Sequence, residues 1–271
     1  MDNRPIGVFD SGLGGLTAVR ELNRLLPGED IVYFGDTGRV PYGSRSRETI
    51  IKYARQDVAF LNTFDLKAIV IACGTVSTTA LEVLREENRI PVLGVVDPAA
   101  RAAAQASANG RIGLIGTEAS IRSGAYERAL ASLRPDAAVY PRACPLFVPL
   151  VENGRFQSGD AVAELVVEEY LGPLKAAGVD TLVLGCTHYP LLRSVIGAYM
   201  GPRVTLIDVG GACARRVAGL LKQTDALSVR AADGQRRYFV SDSVDGFARL
   251  ASMFLGEDVG EDVEQVDITA F

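Results

Sequence analysis

The sequence predicts an α/β protein made of two pseudo-symmetric α/β domains, each a mostly parallel sheet flanked by helices, with the functional site in the cleft between them. Three observations support this. First, short and continuously apolar segments recur along the chain, as expected of strands buried on both faces. Ile6 to Phe9, Ile31 to Phe34, Ala68 to Ala72, Val92 to Val95, Ile112 to Ile115, Ala137 to Tyr140, Thr181 to Leu184 and Val204 to Ile207 are of this kind. Second, amphipathic stretches such as Leu16 to Leu26, Arg47 to Phe60 and Ser77 to Glu87 lie between them. Strands alternating with helices imply parallel sheets covered on both sides.

Third, the order of these segments repeats. Ile6-Gly7-Val8-Phe9-Asp10-Ser11 resembles Ile112-Gly113-Leu114-Ile115-Gly116-Thr117, an offset of 106 from position 6 to position 112. At the same offset Asp30 matches Asp136, each just before a strand. Ile69 to Cys73 resembles Leu182 to Cys186, where the offset from 73 to 186 is 113. A duplicated α/β unit explains the matching order better than chance likeness of apolar strands. The join is expected near Val96-Asp97-Pro98 and the end of the second half near Asp208-Val209-Gly210-Gly211. The remainder, with a strand at Arg237 to Val240 and a helix at Val244 to Leu255, is too short for a third unit and should pack back on the first half. The expected domains are therefore 1–97 plus 211–271, and 98–210.

Composition narrows the function classes. The 271 residues are 48% hydrophobic and 23% charged, an ordinary globular balance. A net charge of −5 disfavours a nucleic-acid partner. The longest apolar runs fall far short of a membrane span, so no membrane association is expected. The polar Met1 to Pro5 segment does not read as a signal peptide, which leaves the cytoplasm as the expected location. The four cysteines, Cys73, Cys144, Cys186 and Cys213, contain no Cys-x-x-Cys pair, and the chain has one histidine, so neither a zinc site nor a disulfide framework is expected.

The chemistry concentrates at strand ends, where open α/β sheets hold their ligands. Cys73 and Cys186 each end a buried strand at equivalent places in the repeat. Thr75 and Ser77 are candidate caps for the helix after Cys73, and Pro190 suits the first turn after Cys186. A helix N-terminus stabilises a thiolate, so a lowered thiol pKa is expected. One buried cysteine is usually a small hydrophobe, but one from each half supplies an acid/base on either side of a ligand, the arrangement needed to invert a stereocentre. His188, two residues after Cys186, could relay its proton, and Asp10 could do the same near Cys73 or simply form the turn of the glycine loop at 11–15. That loop is a poor dinucleotide fingerprint, because Thr17 stands at the third glycine position, but its N–H groups could hold a carboxylate. Gly35 to Ser44 is a second loop of this type.

Four segments together resemble the bacterial glutamate racemases: Gly7 to Thr17, Tyr33-Phe34-Gly35-Asp36, Val40-Pro41-Tyr42-Gly43 and Gly185-Cys186-Thr187-His188-Tyr189-Pro190-Leu191-Leu192. His188 after Cys-Thr is closer to glutamate racemases than to aspartate racemases, which tend to carry Glu there. The resemblance implies an isomerase that interconverts L- and D-glutamate without any cofactor or metal, supplies D-glutamate for peptidoglycan synthesis, and commonly forms a homodimer. It implies Cys73 as the base on the D-glutamate side and Cys186 on the L-glutamate side, assisted by Asp10, Glu152 and His188. Asp10, Ser11, Tyr42, Gly43, Gly74, Thr75, Thr117, Thr187 and His188 match substrate-binding positions. From the residues alone, Glu152 reads as an exposed loop acid.

One position departs from the pattern. Gly74 stands where the family usually has Asn, so a side-chain hydrogen bond is replaced by a backbone N–H. Either a neighbouring hydroxyl of Ser77 or Thr78, or a water, takes its place, or binding weakens and the enzyme is less active. A racemase of aspartate or a related amino acid is the nearest alternative. A pyridoxal-phosphate racemase would need a Schiff-base lysine, and none of the four lysines has that setting. A two-lobed amino-acid-binding protein would lack the paired cysteines.

Overall fold

The computed structural model describes residues 1–245, 247–256 and 263–271, with 248 and 249 described by backbone alone. Among these residues the strands are β1 (Ile6–Asp10), β2 (Ile31–Gly35), β3 (Ala68–Ile71), β4 (Val92–Gly94), β5 (Arg111–Gly116), β6 (Ala138–Ala143), β7 (Thr181–Leu184), β8 (Thr205–Asp208), β9 (Arg236–Val240) and β10 (Val263–Gln265). They form two sheets, ordered β10-β9-β2-β1-β3-β4 and β6-β5-β7-β8, and every recorded pairing is parallel.

The repeat is visible in this topology. The order β2-β1-β3-β4 of one sheet recurs as β6-β5-β7-β8 in the other. Ile6 pairs with Ala68 in the first sheet and Ile112 with Thr181 in the second, which reproduces both sequence offsets. The Asp30–Asp136 match is two residues out. Ile31 pairs with Ile6, whereas the partner of Ile112 is Val139, so β6 is displaced by two positions. The C-terminal remainder joins the first sheet, β9 pairing with β2 and β10 with β9.

Helices cover both faces of the first sheet. Arg47–Leu61 and the short helices after β3 lie on one side, and Leu16–Leu25, Val209–Gln223 and Phe247–Leu255 on the other. The helix Val96–Ala106 packs against Val209–Gln223 and against the second half's Ala125–Leu133, so one apolar core runs through both halves. Gly210 allows the close crossing of Val209–Gln223 and Leu16–Leu25, because a Cβ there would sit 3.1 Å from Ala18 Cα.

Two helical expectations change. Ser77 to Glu87 is not one helix but two, Gly74–Thr79 and Leu81–Glu87, meeting at Ala80. The C-terminal helix begins at Phe247 rather than Val244; residue 246 and residues 257–262 lie outside the described part. No helix among the described residues is long and apolar enough to cross a membrane.

Candidate active site

The carboxyl ends of β1, β2 and β3 face those of β5 and β7. Asp10 closes β1. Its carboxylate accepts the Gly12 N–H at 3.0 Å and, across the gap, the Thr187 hydroxyl at 3.4 Å. Asp10 is thus a turn former whose carboxylate also reaches across the cleft. Thr17 Oγ1 donates to the Thr187 carbonyl at 3.0 Å, a second bond between the halves. Gly14 is required here by close approach: a Cβ on it would lie 2.3 Å from Thr187 Oγ1 and 2.5 Å from His188 Nδ1.

Cys73 is buried at the N-cap of the helix Gly74–Thr79, and its thiol donates to Ser11 Oγ at 3.3 Å. Cys186 Sγ lies 3.9 Å from Nδ1 of His188, whose Nε2 is 3.1 Å from Glu152 Oε1. Glu152 ends the helix Phe147–Glu152 instead of sitting in a loop, and is half-exposed. Thr75 Oγ1 and Thr117 Oγ1 are 3.1 Å apart across the cleft, and Gly43 packs on Thr117. Asp10, Ser11, Gly43, Cys73, Gly74, Thr75, Thr117, Glu152, Cys186, Thr187 and His188 thus converge from both sheets.

One local expectation is corrected, and the contacts of two neighbouring groups are defined. Thr75 and Ser77 do not cap the helix after Cys73, which has no side-chain cap. Ser77 Oγ instead donates to the Ile71 carbonyl and accepts from Val95 N–H, and Thr78 donates to the Thr75 carbonyl. The protons of both hydroxyls are engaged in these bonds, and the hydroxyl nearest to where a Gly74 Cβ would stand is that of Ser120. The hydroxyl of buried Tyr42 is engaged by Asp36 and Asp57, so Tyr42 offers the cleft its backbone and not its phenol.

Gly74 itself has a steric reason. A Cβ there would lie 2.5 Å from the Gly185 carbonyl oxygen. The residue after one cysteine and the residue before the other are in backbone contact, and that contact requires glycine.

The electrostatics also differ from expectation. Burial, reinforced by the Asp10 charge, pushes the Cys73 thiol up to about 12, outweighing its bonds to Ser11 and to the first helical turn. A six-residue helix does not overcome that desolvation. Burial likewise raises Asp10, although nearby His188 and the Gly15 and Gly12 N–H groups oppose it. Burial opposes charge on His188, yet its contacts with Cys186 and Glu152 and the field of Asp10 hold it up at about 10. These contacts favour the protonated imidazole, and Nδ1 is the ring atom that faces Cys186 Sγ. Among the described residues no His/Cys/Asp/Glu group has metal-binding geometry.

The sequence reading missed the part played by the C-terminal segment. Phe254 lies edge-on to His188 with ring centroids 5.2 Å apart. Its apolar helical pattern was legible, but its neighbour was not.

The comparisons bear on the family and the fold. Residues 6–217 match the model of the Asp/Glu/Hydantoin racemase family. A curated glutamate racemase of Geobacter metallireducens is 49% identical over 267 residues, 98% of each chain. The crystal structure of a glutamate racemase isoform from Bacillus anthracis superposes with a TM-score of 0.94 at 40% identity, covering 98% of each chain. That of the Francisella tularensis glutamate racemase in complex with D-glutamate gives 0.92 at 38% identity over the full length of both. The match of sequence and fold leads to one conclusion: the chain belongs to the Asp/Glu/Hydantoin racemase family.

Proposed function

We propose that the protein interconverts L- and D-glutamate by a two-base proton transfer at the α-carbon, with Cys73 acting on the D-glutamate side and Cys186 on the L-glutamate side. The observation that carries this reading is the contact of Gly74 with Gly185, which brings the two cysteine-bearing strand ends together from opposite sheets. One thiolate removes the α-proton and the other thiol delivers a proton to the opposite face. The electron pair left on carbon delocalises into the α-carboxylate, where loop N–H groups and the Ser11, Thr75, Thr117 and Thr187 hydroxyls stabilise it. After one turnover the protonation states of the two sulfurs are exchanged.

The α-ammonium of the substrate would enter beside Asp10. Its positive charge offsets both the burial and the Asp10 field that hold Cys73 protonated, so proton abstraction there becomes accessible with substrate in place. His188, backed by Glu152, serves Cys186 as proton partner. None of these steps calls for a cofactor.

Residues 1–97 with 211–271, and 98–210, act in this reading as two units that close on the substrate. The product D-glutamate would supply peptidoglycan synthesis in the cytoplasm, and the active form would be a homodimer, both as the family resemblance implies. Light scattering measures the last point directly.

The test is isotope exchange in heavy water starting from each enantiomer, with no cofactor added. Wild-type protein should place solvent deuterium at the α-carbon and invert it, while Cys73→Ser and Cys186→Ser should each lose racemisation. If both single variants racemise at the normal rate, the two-thiol mechanism falls. Turnover of aspartate in preference to glutamate would overturn the substrate assignment alone.

A further inference from the structure

The loop after β2 is fastened by a buried charged cluster that the proton transfer does not use. Asp36 and Asp57 are both fully buried, and Arg39 lies between them. The Arg39 guanidinium donates from Nε to Asp36 Oδ2 at 2.6 Å, from Nη2 to Asp57 Oδ1 at 2.8 Å and from Nη1 to Gln56 Oε1 at 2.6 Å. It stacks on Tyr53, 4.2 Å from the ring centroid. The Tyr42 hydroxyl contacts Asp36 Oδ2 and lies 3.1 Å from Asp57 Oδ2.

A phenol has one proton, so the Tyr42 hydroxyl makes two full hydrogen bonds here only when one of its carboxyl partners is protonated and donates to it. Burial and the neighbouring Asp36 favour a proton on Asp57, against the opposing Arg39 and Tyr42.

The cluster is tied to the site and to the C-terminal segment. The Asp36 N–H donates to the Asp10 carbonyl at 3.0 Å. Ser241, just beyond β9, donates to Asp36 Oδ1 at 2.7 Å and accepts the Gly38 N–H at 2.8 Å. At its far end the same loop presents Gly43 against Thr117 of the other half. A buried ion pair contributes little stability compared with apolar packing of equal volume, but a fully satisfied one specifies a single geometry.

We propose that Arg39, clamped between Asp36 and Asp57, is a positioning residue that holds the Val40–Gly43 backbone in place for binding the substrate, with Ser241 bracing it from the C-terminal segment. This rests on the racemase reading for what the loop binds, but the bracing itself is independent of it. Arg39→Lys keeps the charge and loses the three-way fork. It should raise KM for both glutamate enantiomers about tenfold while kcat falls less than threefold, because none of Asp10, Cys73, Cys186 and His188 bonds to Arg39. Ser241→Ala, a milder change in a part-buried position, should raise KM about threefold. An unchanged KM in Ser241→Ala, or a fall in kcat at constant KM, overturns the proposal even if Arg39→Lys fails to fold. Amide hydrogen exchange of residues 36–44 reads the bracing without substrate. Faster exchange there in Ser241→Ala, with residues 68–79 unchanged, is the expected result, and unchanged exchange overturns the proposal. Absence of wild-type turnover on glutamate would sink the substrate reading while the exchange result still decides the loop.

Discussion

At the scale of single residues, Gly74 and His188 give the sharpest expectations. Gly74→Ala would place a methyl 2.5 Å from the Gly185 oxygen, with backbone on both sides and no flexible atom to yield. The cleft would have to widen between the two cysteines, and a displacement approaching 1 Å costs on the order of 100-fold in rate. Racemisation should fall at least about tenfold with the melting temperature little changed. His188 is the one histidine of the chain, so its imidazole signal in a nuclear magnetic resonance titration is unambiguous. It should titrate near 10, and Glu152→Gln should bring it down. The linkage has a definite sign. A His raised from 6.5 to about 10 contributes stability that is fully present below 6.5 and is lost as pH rises through 10. Burial and the neighbouring Asp36 raise Asp57 above 3.8, against the opposing Arg39 and Tyr42, so its linkage has the same sign. Asp57→Asn stays neutral at every pH, so its melting temperature should gain on the wild type between pH 5 and pH 9. A constant difference across that range would show Asp57 to be ionised throughout.

At the scale of elements, what could be read from the sequence was what burial on both faces imprints. Thr181–Leu184 is strand at the expected limits, and β1 to β5 lie within two residues of theirs. β10 escaped because Val263-Glu264-Gln265 is three residues long with two polar side chains. The break at Ala80 escaped because Ser77 to Glu87 keeps a helical apolar spacing on either side of it. In the site, the cysteines, Asp10 and His188 were legible from their place at strand ends. Glu152 was not, since nothing local marks an acid whose partner lies 36 residues away. The Asp36–Arg39–Asp57 cluster was hidden for the same reason. The helix Phe247–Leu255 carries its own expectation. Phe254 is fully buried against His188, so Phe254→Ala should cost about 3–5 kcal/mol in urea unfolding. A loss below about 1 kcal/mol would mean that this helix is not firmly seated.

At the scale of the whole molecule, the two halves touch through polar contacts at the cleft and through a shared apolar core behind it. Thr75 with Thr117 and Gly43 with Thr117 form one side of that contact, and Gly14 with Thr187 and His188 the other. If the halves close on substrate as units, amides of residues 74–79 and 117–122 should be protected together when glutamate binds, although they belong to different sheets. Protection of only one segment would break the two-unit reading.

The surroundings of the two cysteines are unlike: Cys73 meets a serine hydroxyl, Cys186 an imidazole backed by a carboxylate. Mirror-image substrates have identical free energies in water, so at equilibrium they are present in equal amounts. The ratio kcat/KM must then be the same in both directions, whatever the chemistry of each thiol. The inequality built around the sulfurs can surface only as a compensated pair, a faster kcat matched by a proportionately larger KM for the same enantiomer. A duplicated fold with unequal halves is thereby held, by the symmetry of its substrates, to a balance that its own architecture does not have.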